Sequence, residues 1–189
     1  IWNNLCENTE ETLLELRNSL ETSEGNVNKL IEQILNEYES VISMPLPEGY
    51  NDSWKDKFGK RIERPIKPFL MQRYETWLIK QQKSRLNLSD AGAGKTLAAA
   101  LASQACNSKL TLIFSPRHVI DSWELTFKNA FPNVEVLRQT WNPNWKKNNN
   151  RVLIINYERL KTDPKTHNQI MSFAQTQEVD FVILDEAHI

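Results

Sequence analysis

The sequence predicts an α/β protein, a parallel sheet covered by helices on both faces and preceded by an N-terminal helical hairpin. Three observations carry that expectation. Short apolar runs alternate with amphipathic helical stretches over the second half of the chain. A Gly-Lys-Thr element, Gly94-Lys95-Thr96, opens one of those helices directly after a short apolar run, and the last apolar run, Val182-Ile183-Leu184, ends in two carboxylates, Asp185 and Glu186. Strands that alternate with helices pair in parallel, because each crossover helix returns the chain to the starting edge and buries a sheet face on the way.

The elements follow in order. Residues 9–20 and 26–42 are helical patterns; in the second, Val27, Leu30, Ile31, Ile34, Leu35, Tyr38 and Val41 recur at three- and four-residue steps. Asn8 with Glu11 has the form of a capping box, and Ser23-Glu24-Gly25-Asn26 breaks the two helices apart. This periodicity favours a hairpin packed on the next domain over a free partner-docking element. Met44-Pro45-Leu46-Pro47-Glu48-Gly49 cannot continue a helix and reads as a linker. The domains are therefore expected at 1–47, hairpin and linker, and 48–189, the α/β lobe. Within the second, strands are expected at Leu86–Ser89, Leu110–Phe114, Val134–Leu137, Val152–Ile155 and Val179–Leu184. Helices are expected from Lys95 to about Cys106, around Val119, Trp123 and Phe127, and from Asp163-Pro164, where Asp caps and Pro takes the first helical position. Trp141 to Asn150 is polar, Asn-rich and loop-like.

Composition narrows the classes. At 189 residues with 40% hydrophobic content, the chain can bury one good core and a small appendage. The net charge of −1 conceals an asymmetry: residues 1–50 sum to −8 and residues 51–100 to +6. The basic part, with Lys55, Lys57, Lys60, Arg61 and Arg64, is either a solvated face or the neighbour of a polyanion. The two cysteines, Cys6 and Cys106, lack metal-ligand spacing and fit a reducing, intracellular setting. No apolar run is long enough to cross a bilayer, so no membrane partner is expected. The absence of an initiator Met and the halt just after the acidic pair suggest a fragment cut at both ends.

The chemistry follows from residue types at fixed spacing. In Ser89-Asp90-Ala91-Gly92-Ala93-Gly94-Lys95-Thr96, the glycines let the backbone approach phosphate oxygens, and the helix that follows points its positive end at the same anion. Lys95 supplies a compact cation for β- and γ-phosphates, and Thr96 a hydroxyl for the metal. Asp90, Ala91, Gly92, Ala93, Gly94, Lys95 and Thr96 are the expected phosphate cradle. Asp185, with Thr96, is expected to hold Mg²⁺, and Glu186 to orient or deprotonate the attacking water. Together they describe an ATP- and Mg²⁺-using hydrolase in which Lys95 and Glu186 are catalytic.

With Asp185-Glu186-Ala187-His188, the sequence resembles the superfamily 2 helicases and translocases, in particular the first RecA-like lobe of the Swi/Snf-like ATPases. Ser89–Thr96 is similar to their motif I, and Asp185–His188 spells the Asp-Glu-Ala-His form of motif II. Thr111 to Trp123 is similar to motif Ia, and Val152 to Leu160 to the strand-plus-Tyr-Glu segment before motif II. Pro68-Phe69-Leu70-Met71-Gln72 resembles the Gln motif. Ser89 and the Asp90-Ala91-Gly92-Ala93 loop depart from the remodellers' pattern. The resemblance spans residues 65 to 189 and implies that Gln72 reads the adenine edge, that Ser115, Arg117 and His118 touch a nucleic-acid backbone, and that His188 couples the ATP site to the motor. It further implies that the partners are nucleic acid, duplex DNA by the form of motif Ia, and a second RecA-like lobe of the same chain, missing here, whose arginines complete the site. Trp141 and Trp145 are expected to cap the sheet edge rather than stack on bases. Two other roles stay open: a nucleotide-dependent binding switch, and the motor subunit of a restriction or phage-defence complex.

Overall fold

The computed structural model describes residues 1–87, 92–139, 150–176 and 179–186, with residues 173 and 174 described by backbone alone. Three helices open the chain: α1 (Trp2–Glu7), α2 (Thr9–Thr22) and α3 (Asn26–Ser43). The pair expected at 9–20 and 26–42 is present, and α1 is additional. Asn8 makes no side-chain cap. It is shared between two helices, its N–H closing α1 on the Asn4 carbonyl at 2.7 Å, and it does not adopt the geometry of a capping box.

Leu5, Leu16, Ile31 and Ile34 form the hairpin core, and Leu70 of α4 (Leu70–Gln82) packs against it. Trp2 stacks on Tyr74 with centroids 3.7 Å apart, and its indole N–H donates to Glu37 at 3.3 Å. The Arg73 guanidinium closes the joint, donating to the carbonyls of Val41 and Ile42 at 3.2 and 3.0 Å and to that of Met44. These belong to the last turn of α3 and its C-cap, where carbonyls lack helical partners and a cation is favoured. The hairpin is thus packed on the following domain.

The sheet has four parallel strands, β1 (Leu110–Ser115), β2 (Glu135–Arg138), β3 (Arg151–Asn156) and β4 (Phe181–Leu184), in the order β2-β3-β1-β4. Every residue of β1 and β3 is buried, as expected of central strands covered on both faces. Ile113, Val152 and Ile154 meet α5 (Lys95–Ala105) and α6 (Ile120–Ala130) in a cluster completed by Leu97, Leu101, Trp123, Phe127 and Phe131. On the opposite face, Leu112, Phe114, Leu153 and Ile155 meet Tyr157 and Leu160 of α7 (Tyr157–Thr162) and Ile170 of α8 (Pro164–Gln175).

Several boundaries shift. A 3₁₀ turn at Arg117–Val119 precedes α6, so that helix starts at Ile120. Helix α7 is additional and is capped by Asn156, whose side chain accepts from the Arg159 N–H at 2.6 Å. Asp163 accepts from the Lys165 N–H at 3.0 Å and from the Thr166 hydroxyl at 2.7 Å, the expected start of α8. The strand expected at Leu86–Ser89 is not a strand at Leu86 and Asn87, and Leu88 and Ser89 lie outside the described residues. Leu86 is 74% exposed, unlike the residues of β1 and β3. The tryptophan-containing loop, Trp141 and Trp145 included, also lies outside them.

Arg73→Ala is expected to cost about 2 kcal/mol, because three carbonyls lose a charged donor. The check is the denaturant midpoint of the full-length protein, together with faster proteolytic release of α1–α3.

Candidate nucleotide-binding site

Chain direction builds the site. Helix α5 packs on the sheet through Leu97 and Leu101 and joins β1 through residues 106–109, so it must run back against β1 and carry Lys95 and Thr96 toward the edge where β1 and β4 end. Ile183 of β4 packs against the cluster that also holds Leu97 and Leu101 of α5. Asp185 and Glu186 follow the last residue of β4 and reach the same edge.

Gly94 is the N-cap of α5 with φ +76°, a left-handed conformation that glycine adopts without steric cost, and no side chain caps the helix. The N–H groups of the first turn therefore face the edge without helical partners. The Gly94 carbonyl accepts from the Ala98 N–H at 3.2 Å and from the Gln72 amide at 3.1 Å. A Cβ at Gly94 would lie 2.3 Å from the Gln72 nitrogen, so a side chain there would displace Gln72. Gly92 also has φ +84°. Asp90 and Ala91 lie outside the described residues.

Gln72 is 4% exposed and its carboxamide is spent within the protein. Its oxygen accepts from the Phe69 N–H at 2.9 Å, completing the N-terminus of α4, while its nitrogen holds Gly94. Thr76, one turn on, donates to the Gln72 carbonyl at 2.8 Å and approaches the Ala98 carbonyl at 3.5 Å. Helix α4 thus braces the start of α5 at two points.

Asp185 is held from three directions. Its N–H donates to the Phe114 carbonyl at 2.8 Å, its carbonyl accepts from the Tyr157 hydroxyl at 2.8 Å, and its Oδ2 accepts from the Trp123 indole at 2.8 Å. Burial, and then the charges of Asp185 and Glu186, push the Tyr157 phenol up from its ordinary pKa, so it stays a donor. Glu186 has φ +54°, an uncommon backbone for a residue with a side chain. The Trp123 and Tyr157 roles were not foreseen. Their only sequence signals are a Trp in the helix after the Pro116-Arg117-His118 turn and a Tyr directly after β3, and neither names its acceptor.

Ser115, at the end of β1, is fully buried, and its hydroxyl finds no partner among the described residues. Arg117 and His118 are exposed on the following turn. Of the three residues expected at a nucleic-acid backbone, only these two face solvent. Ala187 and His188 lie outside the described residues. Among the described residues, no three His, Cys, Asp or Glu side chains are grouped to hold a metal, and no helix is long and apolar enough to cross a membrane. A Mg²⁺ site built from one hydroxyl, one carboxylate, substrate phosphates and water needs no such group, so the residues present fit a Mg²⁺–polyphosphate.

Trp123→Phe keeps a buried aromatic but removes the donor to Asp185. It is expected to raise the Mg²⁺ concentration for half-maximal ATP turnover in the full-length protein by roughly tenfold, the scale of a hydrogen bond to a charged group. An unchanged Mg²⁺ dependence would make the indole a packing residue only.

Residues 53–189 match the family model for the type III restriction enzyme res subunit, ResIII. No curated protein matches the chain. Domains of this family are N-terminal RecA-like regions of superfamily 2 helicases that use ATP and Mg²⁺; the match does not extend to the Swi/Snf-like subgroup. The parallel α/β sheet and a helix start and acidic strand end at one edge agree with that architecture, and the match spans more than half of the sequence: the chain belongs to the ResIII family of ATP-dependent, helicase-type motor domains.

Proposed function

We propose that residues 48–189 form the first of two motor lobes of an ATPase that moves on duplex DNA within a restriction-type assembly. The observation that carries the reading is the shared sheet edge, where the first turn of α5 presents Lys95 and Thr96 and the end of β4 presents Asp185 and Glu186. The family match favours the restriction-type setting, and the likeness of motif Ia and the Tyr-Glu segment to Swi/Snf-like ATPases supports duplex DNA. Residues 1–47 are a separate hairpin domain in this reading.

In the proposed reaction the α5 N–H groups and the Lys95 ammonium bind the β- and γ-phosphate oxygens, offsetting the charge that grows on the leaving diphosphate. Thr96 and Asp185 hold the metal, which when bound neutralises phosphate charge and aligns the γ-phosphoryl group. Glu186 accepts a proton from the attacking water. Arg117 and His118, both exposed, meet the DNA backbone in this reading. A second lobe contributes arginines across the cleft, a contribution of about 10³–10⁵ in rate in comparable phosphoryl transfers. A pure nucleotide-binding switch has no use for a water-activating carboxylate at Glu186.

For Gln72, the two internal hydrogen bonds favour holding Gly94 over reading the adenine edge. Gln72→Ala is therefore expected to weaken ATP and GTP by the same factor in equilibrium binding; a selective loss of ATP would restore the adenine contact.

The central test is DNA-stimulated ATP turnover in the full-length protein. Glu186→Gln should lower turnover by roughly 10²–10⁴ with ATP affinity near normal. Lys95→Ala should lose both affinity and turnover. Equal loss of binding and turnover in Glu186→Gln would make that residue structural, and turnover indifferent to DNA would favour the switch.

A further inference from the structure

The basic segment between the hairpin and α4 is a built projection. Its base is fastened to the C-terminal end of α6: the Asn51 N–H donates to the Ala130 carbonyl at 2.8 Å, and Asn129 exchanges two hydrogen bonds with the Lys55 backbone at 2.9 and 2.8 Å. Tyr50, Trp54 and Ile66 pack into the main core, and the Tyr50 hydroxyl donates to the Ile66 carbonyl at 2.6 Å. Above this base the chain doubles back through an antiparallel bridge between Lys55 and Arg61. One Asp56 oxygen fixes the tip by accepting from the N–H groups of Phe58 and Lys60, both at 2.9 Å. Its charge is thereby turned inward.

The tip is Lys57-Phe58-Gly59-Lys60. Phe58 is 83% exposed, the most exposed large hydrophobic side chain among the described residues, and the Lys57 ammonium sits over its ring at 5.1 Å from the centroid. Beside it lies an open depression of about 430 Å³ lined by Asp56, Lys60, Arg61, Ile62, Glu63 and Arg64. Among the described residues, Lys55, Lys57, Lys60, Arg61, Arg64 and Lys67 form no ion pair, while the acids of the segment are Asp52, Asp56 and Glu63. A rigid turn that holds an aromatic ring in water among unpaired cations contributes nothing to the core. It matches what an unpaired nucleotide requires, a flat apolar surface for the base and cations for its flanking phosphates.

We propose that the 55–64 turn is a binding element for single-stranded nucleic acid, with Phe58 stacking on an unpaired base and Lys57, Lys60 and Arg64 meeting phosphates. The element stands apart from the ATP site. It is attached at Ala130, whereas Arg117, His118 and Asp185, which accepts from Trp123, lie by the opposite end of α6, an 11-residue helix about 16 Å long. A strand held there is gripped away from the catalytic edge. The assignment rests on the nucleic-acid reading given under Proposed function and adds to it a second contact and an unpaired substrate.

The test is fluorescence anisotropy of a labelled oligothymidylate and of a duplex of the same length with the full-length protein, over a salt series, with a fluorescent ATP analogue bound in parallel. Phe58→Ala should weaken the single strand by roughly tenfold, the scale of one stacked base, and the duplex much less. The triple variant Lys57→Ala, Lys60→Ala, Arg64→Ala should lower the log–log salt slope for the single strand by about 2, from three lost phosphate contacts. ATP-analogue affinity and the melting temperature should stay unchanged, because every altered side chain is in solvent. Wild-type binding with neither effect overturns this element and leaves the nucleic-acid reading standing. No binding of either oligonucleotide by the wild type overturns both. Displacement by polyglutamate at equal charge, equally from the wild type and from Phe58→Ala, would put an acidic protein in place of the strand and overturn the assignment.

Discussion

The parallel pairing of β1 with β4, sealed by α5 on one face, is the constraint on which the rest of the molecule depends. Register places Ile113 opposite Ile183, and both belong with the cluster that contains Leu97 and Leu101. Because the strands point the same way and α5 runs against them, a helix start and two strand ends must meet at one edge. That edge receives the first turn of α5, with Lys95 and Thr96, and the two carboxylates that follow β4. Reversing one strand would send the carboxylates to the far side of the sheet, some 13 Å away for a four-residue strand.

Burial supplies the precision that topology lacks. Asp185 stands just past the strand, where a free side chain would sample several rotamers. The Trp123 indole of α6 fixes the carboxylate, while the Tyr157 hydroxyl of α7 and the Phe114 carbonyl of β1 fix the backbone that carries it. A neutral donor thus sets the aim of the carboxylate. Both Trp123 and Tyr157 also belong to the hydrophobic packing on opposite faces of the sheet, so core and site share atoms.

Helix α4 joins the hairpin to this site. Arg73 ends α3, Tyr74 stacks on Trp2, and the neighbouring Gln72 holds Gly94. Successive residues on a helix point about 100° apart, so one short element reaches both bodies. The acidic hairpin is thereby bound to the helix that braces the start of α5.

Much of this was legible in the sequence because it is local. Alternating apolar runs and helical periodicity required a parallel α/β sheet and a hairpin, and Gly94-Lys95-Thr96 with Asp185-Glu186 spelled the chemistry we propose in short local motifs. Asp163-Pro164 announced α8 in the same way. What the sequence could not determine is what depends on partners far along the chain. The indole of Trp123 finds Asp185 across 62 positions, and Asn129 finds Lys55 across 74. The same limit explains why Gln72 is held by Phe69 and Gly94, why Ser115 is sealed inside while Arg117 and His118 face water, and why Asn8 caps nothing. A side chain's type states what it can bond to, and only the packed chain brings one acceptor within reach and excludes water from the rest.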